Sequence, residues 1–380
     1  MTVHDRRSDV VAVTREFVSL TSASGVVNPA GYHPAQGLYW TPSGAAPKVA
    51  VIASHYNVDF AEHYLAPLIA ERGYGFLGWN TRYRSGESLF LLEHALLDIA
   101  AGVRWLREER GVDVVVLLGN SGGGSLMAAY QSQSVDPHIT AVGGGPVPDA
   151  VNALPPGDLY VSTQAHAGRP EVLTAWIDPS VTDESDPLSC DPSLDMYAEE
   201  NAPPYTPEFI ARYRQAQRDR NDRITAWAQA ELKRLKAGGA YDRAFSVHRV
   251  WADPRYLDPS LDPSDRPLNQ CYLGDPRRAN RSPYNIAAHC TLRTWLSMWS
   301  LQTSFCQGAP HLGRITLPSL VIQGTADTGV FPSDAHHIHD SLASTDKQLH
   351  FIAGDHYLEQ PTDSRAVCAD LVASWIAERT

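Results

Sequence analysis

The chain has 380 residues, of which 43% are hydrophobic and 19% charged, a balance typical of a globular protein. Its formal net charge of −12 argues against nucleic acid or an anionic membrane as a partner, because both bind clustered Lys and Arg. The N-terminal residues contain no apolar run long enough for a signal peptide, and no other stretch is apolar enough to span a bilayer. We therefore expect a cytoplasmic protein.

The cysteines and the clustered histidines do not form a metal-binding pattern. No C-x-x-C pair occurs among the five widely spaced cysteines, which are Cys190, Cys271, Cys290, Cys306 and Cys368. Their spacing favours reduced thiols over a zinc site or a disulfide framework. His336, His337 and His339 lie close together, but no carboxylate or cysteine completes a ligand set at a usual spacing. We expect no metal.

Predicted strands alternate with predicted helices in the first part of the chain. Short apolar and β-branched runs predict strands at 48–53, 75–79 and 112–118, and amphipathic stretches predict helices at 61–72, 91–109 and 125–134. The run 112–118 is almost continuously apolar, which is typical of a central parallel strand covered on both faces. The alternation predicts βαβ units and a parallel sheet.

A segment of different character follows His166 and ends near Leu317. Its Asp-Pro pairs predict irregular turns, and its apolar periodicity predicts two long helices. The first begins at Thr206, a suitable N-cap, and ends at a glycine pair, 238–239; the second covers 285–305. Strands then return at 317–323 and 347–352, with helices at 334–342 and 363–378. We interpret 168–310 as a cap inserted into a core formed by 1–167 and 311–380.

The strongest motif is Gly119-Asn120-Ser121-Gly122-Gly123, directly after the most apolar strand and before a helix. It has the G-x-S-x-G pattern of a nucleophile elbow in the strand–turn–helix context that this elbow requires. A serine at such a turn projects at a helix N-terminus, where backbone N–H groups favour developing negative charge. Read alone, the same residues also suit a glycine-rich turn or a phosphate-binding loop.

A base and an acid follow in the order that a serine nucleophile needs. Asp327 comes at the end of one late strand, and His356 comes at the end of the next. A serine is a weak nucleophile unless a base activates it and a third group orients that base. Two other carboxylates compete for the role of acid: Asp178, after the sixth strand, and Asp355, which suits a turn.

These motifs resemble the α/β-hydrolase superfamily over about 37–166 and 311–379. The stretch 81–88 also resembles the family's loop D-x-R-G-x-G-x-S, although Asn80 and Tyr83 depart from it. The resemblance implies an α/β fold in which helices flank a mostly parallel central sheet and a large, mainly helical cap is inserted. It also implies a catalytic triad of Ser121, Asp327 and His356.

An oxyanion hole is expected from two backbone N–H groups. One is that of Gly122, and the other follows the third strand, where the chain reads Ser54-His55-Tyr56-Asn57. Many relatives have a glycine there, and its absence leaves Tyr56 and Asn57 as alternatives, of which we prefer Tyr56.

We expect a serine hydrolase that needs no cofactor and cleaves an ester, lactone or amide of a small or medium organic molecule. Thioesters and C–C bonds suit the same machinery, and a non-catalytic ligand-binding protein on this fold is the rival from another class. The candidate substrate-binding residues, in the core loops and the aromatic-rich cap, are His55, Asn57, His166, Trp227, Trp295 and Trp299. The sequence leaves homo-oligomerisation open.

Overall fold

The structure, a computed structural model, describes residues 11–24 and 31–380. Most of the N-terminal stretch in which the sequence predicts no signal peptide lies outside these residues. Within the described part of the chain, no helix has both the length and the apolar character needed to cross a membrane.

An eight-stranded sheet forms the centre of the molecule, with the strand order β1-β2-β4-β3-β5-β6-β9-β10. Its strands are β1 (Val13–Leu20), β2 (Ala35–Pro42), β3 (Val49–His55), β4 (Gly75–Asn80), β5 (Val114–Asn120), β6 (Leu159–Thr163), β9 (Ser319–Gly324) and β10 (Lys347–Ile352), while β7 (Ala244–Ser246) and β8 (His289–Thr291) form a separate pair. Among the described strands of the eight-stranded sheet, β2 runs opposite to the other seven, so the β1–β2 and β2–β4 pairs are antiparallel and the remaining pairs are parallel. The predicted, mostly parallel sheet is confirmed.

Helices cover both faces of this sheet. The α-helices of the described residues are α1 (Ala66–Glu71), α2 (Leu92–Glu108), α3 (Gly123–Val135), α4 (Arg169–Trp176), α5 (Pro207–Ala237), α6 (Pro276–Ala279), α7 (Leu292–Thr294), α8 (Ala309–Leu312), α9 (Pro332–Ser341) and α10 (Ser364–Ala377), of which α4 to α7 belong to the 168–310 segment. Successive residues of β5 point to opposite faces: Val116 packs in the cluster that contains Trp375 of α10, and Leu117 in the cluster that contains Leu96 of α2. Burial on both faces explains the continuous apolar run in this strand.

The two ends of the segment 168–310 lie next to each other. Gly168 pairs with Gln307 in an isolated bridge, and the backbone N–H of Arg169 donates to the carbonyl of Cys306 at 3.0 Å. The predicted helix after Thr206 is confirmed as α5, and the Thr206 hydroxyl accepts a hydrogen bond from the N–H of Phe209 at 3.1 Å.

The prediction of a second long helix in this segment, over 285–305, is wrong. The chain there forms strand β8, then the short helix α7 and one π-helical turn, Trp295–Trp299. The Thr291 hydroxyl accepts a hydrogen bond from the N–H of Thr294 at 3.2 Å, so the helix begins only after β8. Trp295 and Trp299 are fully buried, and their spacing of four residues imitated a longer amphipathic helix.

Candidate active site

Ser121 occupies the turn between β5 and α3 with a φ of 55°, in the left-handed region that a non-glycine residue rarely adopts. The glycines two residues away allow this turn. A Cβ on Gly119 would lie 2.5 Å from the Cα of Gly124, and a Cβ on Gly123 would lie 2.3 Å from the carbonyl oxygen of Ser54. Larger side chains would therefore push the elbow apart.

Asp327 and His356 form a pair at the carboxyl ends of the neighbouring strands β9 and β10. His356 Nδ1 lies 2.7 Å from Asp327 Oδ2. The other carboxylate oxygen, Oδ1, accepts hydrogen bonds from the N–H groups of Gly329 at 2.8 Å and Val330 at 3.0 Å. These bonds hold the buried carboxylate toward the imidazole, so Nε2 is the ring nitrogen left without a carboxylate partner.

His166 contacts Ser121 through the backbone and lies near His356. The backbone N–H of His166 donates to the carbonyl of Ser121 at 3.1 Å, and the His166 and His356 ring centroids are 6.2 Å apart. Among the described residues no hydrogen bond joins Ser121 Oγ to His356 Nε2. Catalytic hydrogen bonds of this kind are commonly long before substrate binds.

Neither competing carboxylate forms a hydrogen bond or an ion pair with the imidazole of His356. Asp178 is fully buried within the 168–310 segment, where it pairs with Arg249 at 2.7 Å and accepts a hydrogen bond from Asn280 at 2.7 Å. Asp355 accepts hydrogen bonds from the backbone N–H groups of residues 357 and 359, as a turn carboxylate does.

In the loop after β3, the two candidate oxyanion donors differ in whether their backbone N–H groups are engaged. His55 Nδ1 accepts hydrogen bonds from the N–H groups of Asn57 at 3.2 Å and Val58 at 3.1 Å, so Asn57 is already engaged. The N–H of Tyr56 has no hydrogen-bond partner in the part of the chain that the structure describes. The Tyr56 side chain is buried, and its hydroxyl lies 3.1 Å from Ser125 Oγ on α3.

Of the residues proposed from sequence to bind substrate, His166 lies close to His356, with ring centroids 6.2 Å apart. It is buried, and its ring is 5.4 Å from that of Trp176. Burial, followed by the influence of His356 and Arg169, holds the pKa of His166 well below its ordinary value. This imidazole therefore stays neutral near pH 7.

The three tryptophans proposed as substrate contacts lie in different environments. Trp299 is buried and its ring stacks 4.4 Å from the guanidinium of Arg169. Trp295 is buried in the interior of the 168–310 segment, where its indole N–H donates to Thr225. Trp227 is 41% exposed, and the structure does not bring it into contact with Ser121 or His356.

Tyr272 and Arg169 were not predicted from the sequence. The Tyr272 hydroxyl lies 2.9 Å from His356 Nδ1 and 3.4 Å from Asp327 Oδ1, and the two rings are 4.3 Å apart. Burial, then the neighbouring Asp327, raises the pKa of Tyr272 well above its ordinary value, so the phenol keeps its proton. Arg169 forms a buried ion pair with Glu87 at 2.9 Å.

Across residues 11–24 and 31–380 there is no group of three or more His, Cys, Asp or Glu side chains placed to hold a metal ion. All five cysteines are free thiols.

Comparison with solved structures shows a shared architecture at low identity. The chain is similar to DcsB, solved in complex with its substrate analogue, at 12% identity over 96% of this chain and 99% of that one, with a TM-score of 0.52. The esterase domain of a Rhodothermus marinus protein matches at 10% identity over 95% and 97%, with a TM-score of 0.45. Est1E from Butyrivibrio proteoclasticus matches at 10% over 90% and 95%, with a TM-score of 0.47. Neither the family models nor the curated protein sequences give a match.

Proposed function

We propose that this protein, which has the α/β-hydrolase fold, is a serine hydrolase that cleaves an ester, lactone or amide of a small or medium organic molecule. One observation carries the proposal. Ser121 is held in a left-handed conformation at the β5–α3 turn, at the same sheet edge as the 2.7 Å contact between His356 and Asp327. A strained serine beside an oriented imidazole is the arrangement that acyl transfer requires.

In this mechanism Ser121 Oγ attacks the substrate carbonyl while His356 Nε2 accepts the hydroxyl proton. His356 then returns the proton to the leaving group, and water hydrolyses the acyl-enzyme by the same two proton transfers. Asp327 fixes the imidazole tautomer through Nδ1–H and stabilises the imidazolium. We assign the oxyanion to the backbone N–H groups of Tyr56 and Gly122, neither of which has a hydrogen-bond partner among the described residues.

We assign the segment 168–310 to a cap over the sheet edge that carries Ser121. Its two ends meet at the Gly168–Gln307 bridge, as expected of an insertion between β6 and β9. Tyr272, from the middle of this segment, reaches the Asp327–His356 pair. The cap therefore contributes walls to the site, and the free cysteines suit the reducing cytoplasm in which we place the protein.

A fluorophosphonate probe tests the proposal, because it phosphonylates only an activated serine. We expect labelling of the folded wild-type protein at the peptide that contains Ser121, and none of the Ser121→Ala variant. Turnover of a p-nitrophenyl ester then separates a hydrolase from a non-catalytic ligand-binding protein. A folded wild-type chain that neither reacts at Ser121 nor turns over any ester, lactone, amide or thioester would refute the function.

A further inference from the structure

Gly122, the residue after the candidate nucleophile, lies beside two side-chain N–H donors. A Cβ on Gly122 would lie 2.8 Å from His55 Nε2 and 3.0 Å from Arg169 Nη1. Both distances are too short for a Cβ contact, so a larger residue at 122 would collide with these nitrogens. The glycine therefore lets both donors, from the end of β3 and the start of α4, come close to the space beside Ser121.

His55 offers its Nε2–H to this space. Its Nδ1 accepts hydrogen bonds from the N–H groups of Asn57 and Val58, so the ring proton must be on Nε2. Nε2 has no hydrogen-bond partner among the described residues. The ring is buried, and a cation at Arg169 lies close by, so His55 remains a neutral donor.

Arg169 offers Nη1 to the same space. The residue is only 3% exposed, and Glu87 Oε2 accepts a hydrogen bond from Nη2 at 2.9 Å. The guanidinium carbon also lies 4.4 Å from the ring centroid of Trp299 and 5.1 Å from that of Tyr56. These contacts fix the orientation of the guanidinium, yet no hydrogen bond engages Nη1 within the described residues.

The Glu87 carboxylate is held by a second hydrogen bond, so it cannot turn to accept one from Arg169 Nη1. Its Oε1 accepts a hydrogen bond from the backbone N–H of Ala287, in the 168–310 segment, at 2.9 Å. One oxygen of Glu87 thus serves this backbone N–H, and the other serves Arg169 Nη2. Nη1 thus has no acceptor among the described residues, and neither does the fully buried Nε of the same guanidinium.

We propose that His55 and Arg169 bind a carboxylate carried by the acyl part of the substrate, so that this enzyme hydrolyses monoesters or monoamides of dicarboxylic acids. The two donors contribute N–H groups only, and one belongs to a permanent cation, a combination that selects an anionic oxygen acceptor. Their position beside Gly122 places the carboxylate near the scissile carbonyl. This inference rests on the proposed function and names its substrate class.

Matched ester pairs test the inference. We would measure kcat/KM for the monomethyl and dimethyl esters of succinic, glutaric and adipic acids, following proton release by pH-stat. Each pair differs in one charge. For at least one chain length, we expect the wild-type enzyme to prefer the monoester by about tenfold or more, since a hydrogen bond to a charged group is worth at least that factor.

Two variants test whether Arg169 is responsible for the preference for monoesters. Replacing both members of the buried ion pair, Arg169→Met with Glu87→Gln, avoids leaving one charge unpaired. In this double variant, we expect the ratio of kcat/KM for the monoester to kcat/KM for the diester to fall at least about tenfold. Arg234→Met is the matched control, because Arg234 is an exposed arginine of α5 paired with Glu231, and it should keep the ratio.

A measurement on the wild-type protein covers the case in which the double variant does not fold. Glutarate should slow fluorophosphonate labelling of Ser121, whereas glutaramide, its neutral analogue, should not. No preference for the monoester, a preference that survives in the double variant, or equal protection by glutaramide would overturn the carboxylate assignment. Labelling and diester turnover would meanwhile show that the hydrolase function stands. Absence of both labelling and turnover would instead refute the proposed function itself.

Discussion

Tyr272 Oη lies 2.9 Å from His356 Nδ1, the same ring nitrogen that contacts Asp327 Oδ2 at 2.7 Å. One N–H thus faces two oxygens. The carboxylate is the stronger acceptor because it is charged, and the phenol can turn its own proton toward Asp327 Oδ1 at 3.4 Å. The 168–310 segment therefore touches the candidate base through a second, weaker partner.

Separate substitutions of the two partners should have very different effects on kcat. Asp327→Asn should lower kcat on the order of 10⁴-fold, because the imidazole loses its tautomer and orientation. Tyr272→Phe keeps the ring on His356 and removes one neutral hydrogen bond, so it should cost about tenfold or less. Steady-state kinetics on one ester measure both values, and a larger loss in Tyr272→Phe would make the tyrosine the orienting group.

Asp178→Asn is the control for the acid. It breaks a buried pair with Arg249, so the free energy of unfolding should fall by about 3–5 kcal/mol. At a temperature where the variant is folded, kcat should remain close to that of the wild type. An almost silent Asp327→Asn together with a crippling loss of kcat in Asp178→Asn would place the acid after β6 instead.

Gly329 makes room for the Tyr272 ring. A Cβ at this position would lie 2.2 Å from Tyr272 Cζ, and the glycine does not have a positive φ, so Gly329→Ala is a steric change alone. We expect it to destabilise the protein by about 1–3 kcal/mol and to lower kcat by displacing Tyr272. In a Tyr272→Ala background the added methyl should cost little. A double-mutant cycle measures this coupling, and additive effects would contradict it.

Glu171 should make stability fall as pH rises. Burial raises its pKa from 4.5 to about 8, and its Oε2 has no partner among the described residues. Because the folded state binds this proton more tightly than the unfolded state, the resulting stabilisation is complete below pH 4.5 and is lost as pH rises through 8. The free energy of unfolding of Glu171→Gln, taken relative to that of the wild type, should therefore rise by roughly 2–4 kcal/mol between pH 5 and pH 9.

Urea unfolding at pH 5, 7 and 9 measures this difference. The exposed Glu109, at the end of α2, gives the control: Glu109→Gln should shift the free energy of unfolding by a similar amount at all three values. If the free energies of unfolding of Glu171→Gln and the wild type differ by the same amount at all three pH values, the Glu171 carboxyl is ionised in the folded state over this whole range.

The tryptophans of the 168–310 segment should differ according to their burial. Trp299→Leu removes the ring under Arg169, so we expect lower kcat/KM and a loss of roughly 1–3 kcal/mol of stability. Trp227 is 41% exposed, so Trp227→Ala should change both quantities little. Kinetics and thermal unfolding of the two variants give the comparison. A larger kinetic effect at Trp227 would move the substrate site toward the outer surface of the cap.

The central strands were predictable because they are buried on both faces, which leaves an unbroken apolar run in β5. Strand β1 was not predicted, since it lies at the sheet edge and half of its eight residues are exposed; Phe17 is 62% exposed. The motif around Ser121, and the strand ends that carry Asp327 and His356, are local in sequence, so their positions on the sheet could be inferred.

Contacts made by the 168–310 segment could not be inferred. Tyr272 meets His356 across 84 residues, and Arg169 meets Glu87 across 82. Such contacts depend on how an irregular segment folds back over the sheet, which no periodicity encodes. The prediction of a helix over 285–305 was wrong for a related reason. Pairing of β8 with β7 and the N-cap hydrogen bond at Thr291 decided the local structure, and the apolar spacing did not.

The nucleophile is tested most directly by Ser121→Ala, with Ser162→Ala as the control. Ser162 is a buried serine of β6 whose hydroxyl has no partner among the described residues, so its loss should leave kcat nearly unchanged. In Ser121→Ala we expect an intact fold by circular dichroism and a kcat lowered on the order of 10⁴-fold or more. A folded Ser121→Ala protein that keeps more than about a tenth of wild-type kcat would show that the nucleophile lies elsewhere.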